Sequence, residues 1–326
     1  MTSTSRASWK RAAGFLFAAA ALLFLGVFVG RNVEQLRSYD WTVRPWLLAA
    51  SVGVNILGLA WGVAVWKLVL RKLGVGVEYV ALARVWFVSG LGRYIPGKVW
   101  QFVGAAHLGS AAGLEPVTTV SSLALQNGFF ILGAALTAIY FLPASAIAYV
   151  GPALEVLRWI GPAVLLLGHP ALISRIIRLA RRASAKSMTE WTGSWADGIV
   201  LVLLSILAWA LTGAGLYLFI LSIVPLTVGS SVAVAGVPAM IGINAVSFVI
   251  GYAVFVAPAG LGAKEVSLAA LLTLYMPAPV AAIVAVAARL WMVAGEVIPA
   301  LVLLPRTAGS AQPDPTNTGC TSPPST

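Results

Sequence analysis

SGLGRYIPGKVWQ, residues 89–101, interrupts a long apolar region with one proline, three glycines and the fixed charges Arg93 and Lys98. APAGLGAKE, residues 257–265, repeats the combination with Pro258, Gly260, Gly262, Lys264 and Glu265. Broken backbone and charge are costly in hydrocarbon unless they are buried in protein or line a wet cavity. Two such interruptions, each between stretches fit for a bilayer, predict re-entrant elements at about residues 80–112 and 257–276.

The composition around them sets the class. Of 326 residues 60% are hydrophobic and only 10% charged, against about 25% charged in a soluble domain. Apolar runs near the ~20 residues that span a bilayer recur along the chain. They fall at Ala12–Gly30, Trp46–Leu70, Thr118–Leu142, Pro152–Gly168, Gly198–Val224, Val232–Val256 and Pro279–Leu304. Val266–Tyr275 is too short to count as a span on its own. The expectation is an all-α polytopic membrane protein with seven or eight transmembrane helices and two re-entrant elements. The segment 1–11 is read as a cytoplasmic N-terminus, 12–305 as one integral membrane domain, and 306–326 as a disordered tail rich in Pro, Thr and Ser. Arg6, Lys10 and Arg11 precede the first run, which exceeds the ~7–15 residues of a signal-peptide core. An uncleaved first span is expected.

Lys and Arg placement orients the chain. Lys67, Arg71, Lys72 and Arg84 follow the second span, and Arg175, Arg178, Arg181, Arg182 and Lys186 fill the central loop. Both clusters, like the N-terminus, are placed in the cytoplasm. The loop at Arg31–Arg44 mixes Arg31, Arg37 and Arg44 with Glu34 and Asp40, and goes outside. Thr118–Leu142 and Pro152–Gly168 then form an out-and-back pair between the two clusters, and residues 79–116 must start and finish on the cytoplasmic side, as a hairpin hinged at Arg93–Lys98. The second half repeats this plan around APAGLGAKE, as two halves of an inverted repeat would, although the halves share no clear sequence identity. IIRLARRASAK, residues 176–186, reads as an amphipathic helix at the membrane surface.

The broken elements carry groups suited to an anion. Arg93, Lys98 and Lys264 can pair with phosphate, and Gly90, Gly92, Gly97, Gly260 and Gly262 admit close backbone N–H groups. Helices opening after Gly97 and Gly262 would aim positive ends at the same place. Tyr94, Trp100 and Gln101 add amphipathic and polar walls. Glu265, directly after Lys264, is expected to face elsewhere. Arg289 and Glu296 lie two turns apart and share one face of the last span. Between Gly198 and Leu304 the charged residues are Lys264, Glu265, Arg289 and Glu296, two of each sign, which predicts internal pairing. Gln126, Asn127 and Asn244 read as helix-joining polar residues, and Glu155 with Arg158 as a local pair.

LGRYIPGKVWQ, AAHLGSAAGLEP and PAGLGAKEVSLAALL, with Arg289 downstream, resemble the membrane domain of the lysylphosphatidylglycerol synthase/flippase family over roughly residues 12–305. The resemblance implies a flippase-like membrane domain with re-entrant elements around a headgroup cavity. By motif position it implicates Arg93, Lys98, Gln101, Lys264, Glu265 and Arg289. Full-length synthases of that family carry a soluble transferase domain after the membrane part. Here Pro305–Thr326 follows instead, so lysyl transfer by this chain alone is not expected.

Other chemistry finds no support in the residues. The single cysteine is Cys320 and the two histidines are His107 and His169, without metal-ligand spacing. No P-loop, GxSxG or HExxH occurs, so no cofactor, metal or enzymatic activity is expected. The net charge of +11 is assigned to cytoplasmic loops and the anionic leaflet rather than to nucleic acid. The expected activity is flipping of an anionic phospholipid or polyprenyl-phosphate-linked lipid across the cytoplasmic membrane. The alternative is a non-transporting accessory subunit that presents lipid to a glycosyl- or aminoacyl-transferase partner.

Overall fold

The computed structural model describes Leu23, Val27 and residues 30–95, 99–146, 153–183, 190–225, 231–254 and 260–304. The N-terminal segment, most of the first expected span, the tail, and the residues Pro96–Gly97–Lys98 and Pro258–Ala259 lie outside that set. Among the described residues there is no strand. The protein is an all-α, multi-pass membrane protein.

A short helix α1 (Val33–Arg37) precedes α2 (Pro45–Lys72), whose first residue is proline. Proline suits that position because its missing N–H has no helical partner to lose. The hairpin follows as α3 (Tyr79–Gly90), a 3₁₀ turn (Leu91–Tyr94) and α4 (Trp100–Ala111). Then come α5 (Pro116–Phe141), α6 (Ala153–Ile160), a 3₁₀ segment (Gly161–Gly168) and α7 (Pro170–Ala183). The second half contains α8 (Trp195–Ile223), α9 (Ser231–Ala253), α10 (Ala263–Leu272) and α11 (Ala278–Leu303).

Five segments are long and apolar enough to cross a membrane: Pro45–Lys72, Pro116–Phe141, Trp195–Ile223, Ala235–Ala253 and Ala278–Leu303. Each matches an expected span. The fourth contains a kink at Gly236, where φ 68° and ψ −178° break the helix ahead of Pro238. The expected span Pro152–Gly168 is not one continuous helix. It forms two eight-residue pieces, α6 and the 3₁₀ segment. Pro162 removes a backbone donor and disfavours α geometry at Gly161, and the α-helix gives way to 3₁₀ geometry there. Arg158 of α6 donates to Leu142 O at the end of α5, and Gly168 lies against Gly198 in the first turn of α8.

The hairpin is set off by matching helix ends. Val75 N–H reaches Leu70 O and Gly74 N–H reaches Arg71 O; Leu114 N–H reaches Gly109 O and Gly113 N–H reaches Ser110 O. Gly74 and Gly113 adopt φ 75° and 78°, the left-handed stop that glycine enters without a Cβ clash. One stop ends α2 and the other ends α4, so α3 and α4 stand between them as a separate folded-back pair. Its two arms meet where a Cβ on Gly92 would lie 2.8 Å from Gln101 N.

Small residues hold the long helices together. A Cβ on Gly58 would lie 2.8 Å from Thr212 Cγ2, and one on Gly215 would lie 3.0 Å from Trp291 and 3.3 Å from Asn55 N. Close backbone approach of this kind supplies the dispersion contact that drives helix association in lipid. Indole N–H groups then bridge helices: Trp291 to Ser51 Oγ, Trp66 to Ser122 Oγ, Trp61 to Leu204 O and Trp209 to Phe130 O. Outward faces are apolar; on α11 Leu290 is 69% exposed while Glu296 is buried.

The two ends of the bundle are distinguishable. Lys72 pairs with Asp197 at 2.8 Å, and Thr192 bonds Lys72 O, so the end of α2 meets the start of α8. Ile173 and Ile177 of α7 pack there with Leu73 and Trp191, leaving Arg175 and Arg178 exposed, as an amphipathic surface helix requires. At the other end Arg44 donates to Leu221 O and Val224 O. That basic residue, the outlier in the mixed loop, satisfies the last carbonyls of α8.

Replacement of Gly215 by Leu should lower stability in detergent micelles by about 1–3 kcal/mol through overpacking. Gly53→Leu, which meets nothing within 4 Å, should change it by less than about 0.5 kcal/mol. Thermal unfolding of the two variants side by side checks this.

Candidate functional site

The last long helix brings the two broken elements together. Arg84 of α3 donates to Leu303 O at the C-terminal end of α11, while Arg93, nine residues on, reaches Glu296 at 3.1 Å. The first hairpin therefore runs antiparallel to α11 from that end toward its middle. From the other end, α10 lies antiparallel to α11, with Glu265 against Arg289 and Lys264 against Met292. At 1.5 Å per residue its ten residues cover about 15 Å, half the ~30 Å core. The tips of both elements meet at residues 289–296.

At the tip of the first element, Arg93 Nε donates to Gly90 O, the exposed carbonyl end of α3. Its Nη1 donates to Glu296 Oε1 at 3.1 Å, and Tyr94 OH donates to Glu296 Oε2 at 2.9 Å. Each oxygen of one buried carboxylate is thus held by the hairpin. Arg289 Cζ lies 5.4 Å from the centroid of the Tyr94 ring, within cation–π range. Tyr94 in this way touches both ionic pairs.

The second element turns on glycine. Gly260 and Gly262 have φ 69° and 86°, values that strain any residue with a Cβ. A Cβ on Gly260 would also lie 2.7 Å from Gly251 O, so the turn folds tightly against α9. Glu265 Oε2 accepts the Gly262 N–H at 2.7 Å and its Oε1 accepts Arg289 Nη1 at 3.1 Å. The expectation that Glu265 faces elsewhere is corrected: the first-turn carboxylate caps its own helix and pairs across to α11. The expectation that the N-terminus after Gly262 is open to phosphate is corrected for the same reason, since Glu265 already takes that N–H.

Lys264 is 6% exposed and donates to the thioether of Met292 at 2.9 Å, a weak acceptor for an ammonium. It lies within electrostatic reach of Glu265, Glu296, Arg289 and Arg93. Arg93, Lys264 and Arg289 supply three positive charges and Glu265 and Glu296 two negative ones, so the described cluster carries one positive charge in excess. The pairing expected within α10 and α11 holds for Glu265 and Arg289, but Glu296 is taken by the hairpin.

A small cleft opens beside this cluster, lined by Trp86, Ser89, Gly90, Arg93, Gln101, Leu123 and Asn127. Arg93, its side chain 35% exposed, faces the pocket on one side and Glu296 on the other. Gln101 lines the wall, whereas Trp100 does not appear in it and is half-exposed. Lys98 and Gly97 fall outside the described residues. Asn127 and Ser89 were not legible as pocket residues: Asn127 resembles any helix-joining amide, and nothing local in sequence brings α5 to the hairpin. Met292 could have been found, since it lies three residues after Arg289 and four before Glu296, on their shared face. Among the described residues no group of three His, Cys, Asp or Glu could hold a metal ion.

With Glu265 replaced by Gln, Arg289 loses its carboxylate in a buried setting, which should cost about 3–5 kcal/mol. Lys72→Ala, which breaks the partly exposed pair with Asp197, should cost at most about 1 kcal/mol. Thermal unfolding of the purified variants separates the two.

A family model described as the lysylphosphatidylglycerol synthase TM region matches residues 11–300. No curated protein matches the chain.

Proposed function

Starting from a chain that belongs to the lysylphosphatidylglycerol synthase transmembrane-region family, we propose that this protein translocates an anionic lipid across the cytoplasmic membrane. The observation that carries the reading is the buried cluster with one excess positive charge, reached through a polar pocket at Arg93. An uncompensated charge at membrane depth is expensive unless function retains it. A lipid phosphate supplies the missing negative charge, and the acyl chains stay in the bilayer beside it.

Arg93 meets the headgroup, because it is the cation of the cluster that lines the pocket. Its guanidinium presents paired donors that match phosphate oxygens. Gln101, Asn127 and Ser89 offer further hydrogen bonds from the hairpin and α5, with Tyr94 at the hairpin tip. Lys264, Arg289, Glu265 and Glu296 lie behind Arg93 as a charged cluster. The substrate class is a phospholipid or polyprenyl-phosphate-linked lipid. Access alternates when one broken element shifts against α11, since each enters from a different end of that helix and is tied to it by an ion pair at its tip.

The basic end of the bundle, with Lys72, Arg84, Arg175 and Arg178, faces the cytoplasm under the positive-inside rule. The N-terminus lies on the same side. Lipid presentation to a transferase without movement is the competing reading, and the same experiment decides it.

The test uses full-length protein in liposomes carrying fluorescent phosphatidylglycerol, with dithionite quenching of the outer leaflet. Native protein should raise quenching beyond the half protected in protein-free liposomes. Arg93→Ala should return it to the protein-free level, and Lys72→Ala should not. Movement unaffected by Arg93→Ala contradicts the headgroup site. Binding without movement by native protein favours the accessory role.

A further inference from the structure

Glu296 is held as a substrate phosphate would be. One negative charge is spread over two oxygens, and each oxygen accepts from a different donor at the hairpin tip, Arg93 Nη1 and Tyr94 OH. A phosphodiester offers the same pattern, two non-bridging oxygens sharing one charge. One turn earlier on the same face of α11, Met292 holds the Lys264 ammonium through sulfur alone. Residues four apart on a helix are neighbours, so the buried cation with the weakest partner stands beside the carboxylate that a ligand would displace.

We propose that Glu296 is an exchangeable internal counter-ion: a lipid phosphodiester takes its place on Arg93 and Tyr94, and the freed carboxylate moves to Lys264. The proposal rests on the headgroup reading above and specifies how that site works. Before exchange the described cluster has two ion pairs and one ammonium on a thioether. After exchange it has three ion pairs, Arg93 with phosphodiester, Lys264 with Glu296 and Arg289 with Glu265, and its charges sum to zero. Every buried charge then has an ionic partner, which the low-dielectric setting rewards.

Two consequences follow from the charge count. Binding detaches the hairpin tip from α11, because the contact at Glu296 is the one the ligand replaces. The headgroup class is also narrowed to monoanionic phosphodiesters. A phosphomonoester carries about −1.5 to −2 at neutral pH and would leave excess negative charge at membrane depth.

The exchange is tested on full-length protein in detergent, with dioctanoyl phosphatidylglycerol as probe and thermophoresis as readout. Glu296→Gln removes the competing charge and should tighten binding on the order of tenfold, within the usual range of coupling between sites. Lys264→Met removes the acceptor for the freed carboxylate and should weaken binding by about the same factor. In the Glu296→Gln background, Lys264→Met should change affinity less than about twofold, since nothing remains to be received. Equal losses in both backgrounds would mean that Lys264 touches the lipid itself, and would overturn the exchange. So would unchanged or weaker binding by Glu296→Gln. Met292→Leu keeps the core volume and is expected to fold. It removes the ammonium's resting partner and should tighten binding roughly threefold, the worth of a modest hydrogen bond; no change counts against the proposal. Dioctanoyl phosphatidic acid should bind more weakly than the glycerol diester, and equal or tighter binding overturns the charge match. Absence of phosphatidylglycerol binding by native protein would instead defeat the headgroup reading on which the proposal stands.

Discussion

A carboxylate buried in a bilayer must be paired, and Glu296 is paired by residues two hundred positions away. Its oxygens are held by Arg93 and Tyr94, so the tip of the first hairpin cannot leave α11 unless both charges find new partners. The same demand fixes Arg289 to Glu265 and thereby fixes α10 to α11. These two ion pairs, 3.1 Å each, locate both broken elements on a single helix. The surrounding spans need only supply close packing, which glycine, serine and indole N–H groups provide.

The arrangement explains why the broken elements are short. A hairpin that reaches only to the middle of α11 places its turn, where backbone donors and acceptors are unsatisfied, against charged side chains rather than lipid. Gly90 O is met by Arg93 and Gly262 N–H by Glu265. Irregular backbone at membrane depth is tolerated on just this condition. The two elements approach from opposite ends of α11, so their tips can share one set of charges. That is the geometry expected where a site lies at the interface of two halves.

Much of this was legible in the sequence because the signals were local. Five of the expected spans coincide with long helices, and the face shared by Arg289 and Glu296 follows from helical spacing alone. The hairpin followed from placing the basic clusters around Lys72 and Arg178 on one side, with Thr118–Leu142 and Pro152–Gly168 as an out-and-back pair between them. What sequence could not carry was distance. Nothing near Arg93 announces Glu296, and the charges of α10 and α11 summed to zero until the hairpin added its own. Glu265 was misread because adjacency to Lys264 suggested opposite faces, whereas a first-turn carboxylate bends back to cap its helix and still reaches Arg289. The break within Pro152–Gly168 was missed because hydropathy was weighed above the Gly161–Pro162 step.

The central claim is that the tips of the two broken elements form one anion site against α11. A cryo-electron microscopy map of the full chain in phosphatidylglycerol nanodiscs addresses it most directly. The account predicts headgroup density within hydrogen-bonding distance of Arg93, in the pocket lined by Gln101 and Asn127, with the Glu296 side chain turned toward Lys264. Density confined to the outer rim of the bundle, with Arg93 still on Glu296, would contradict it.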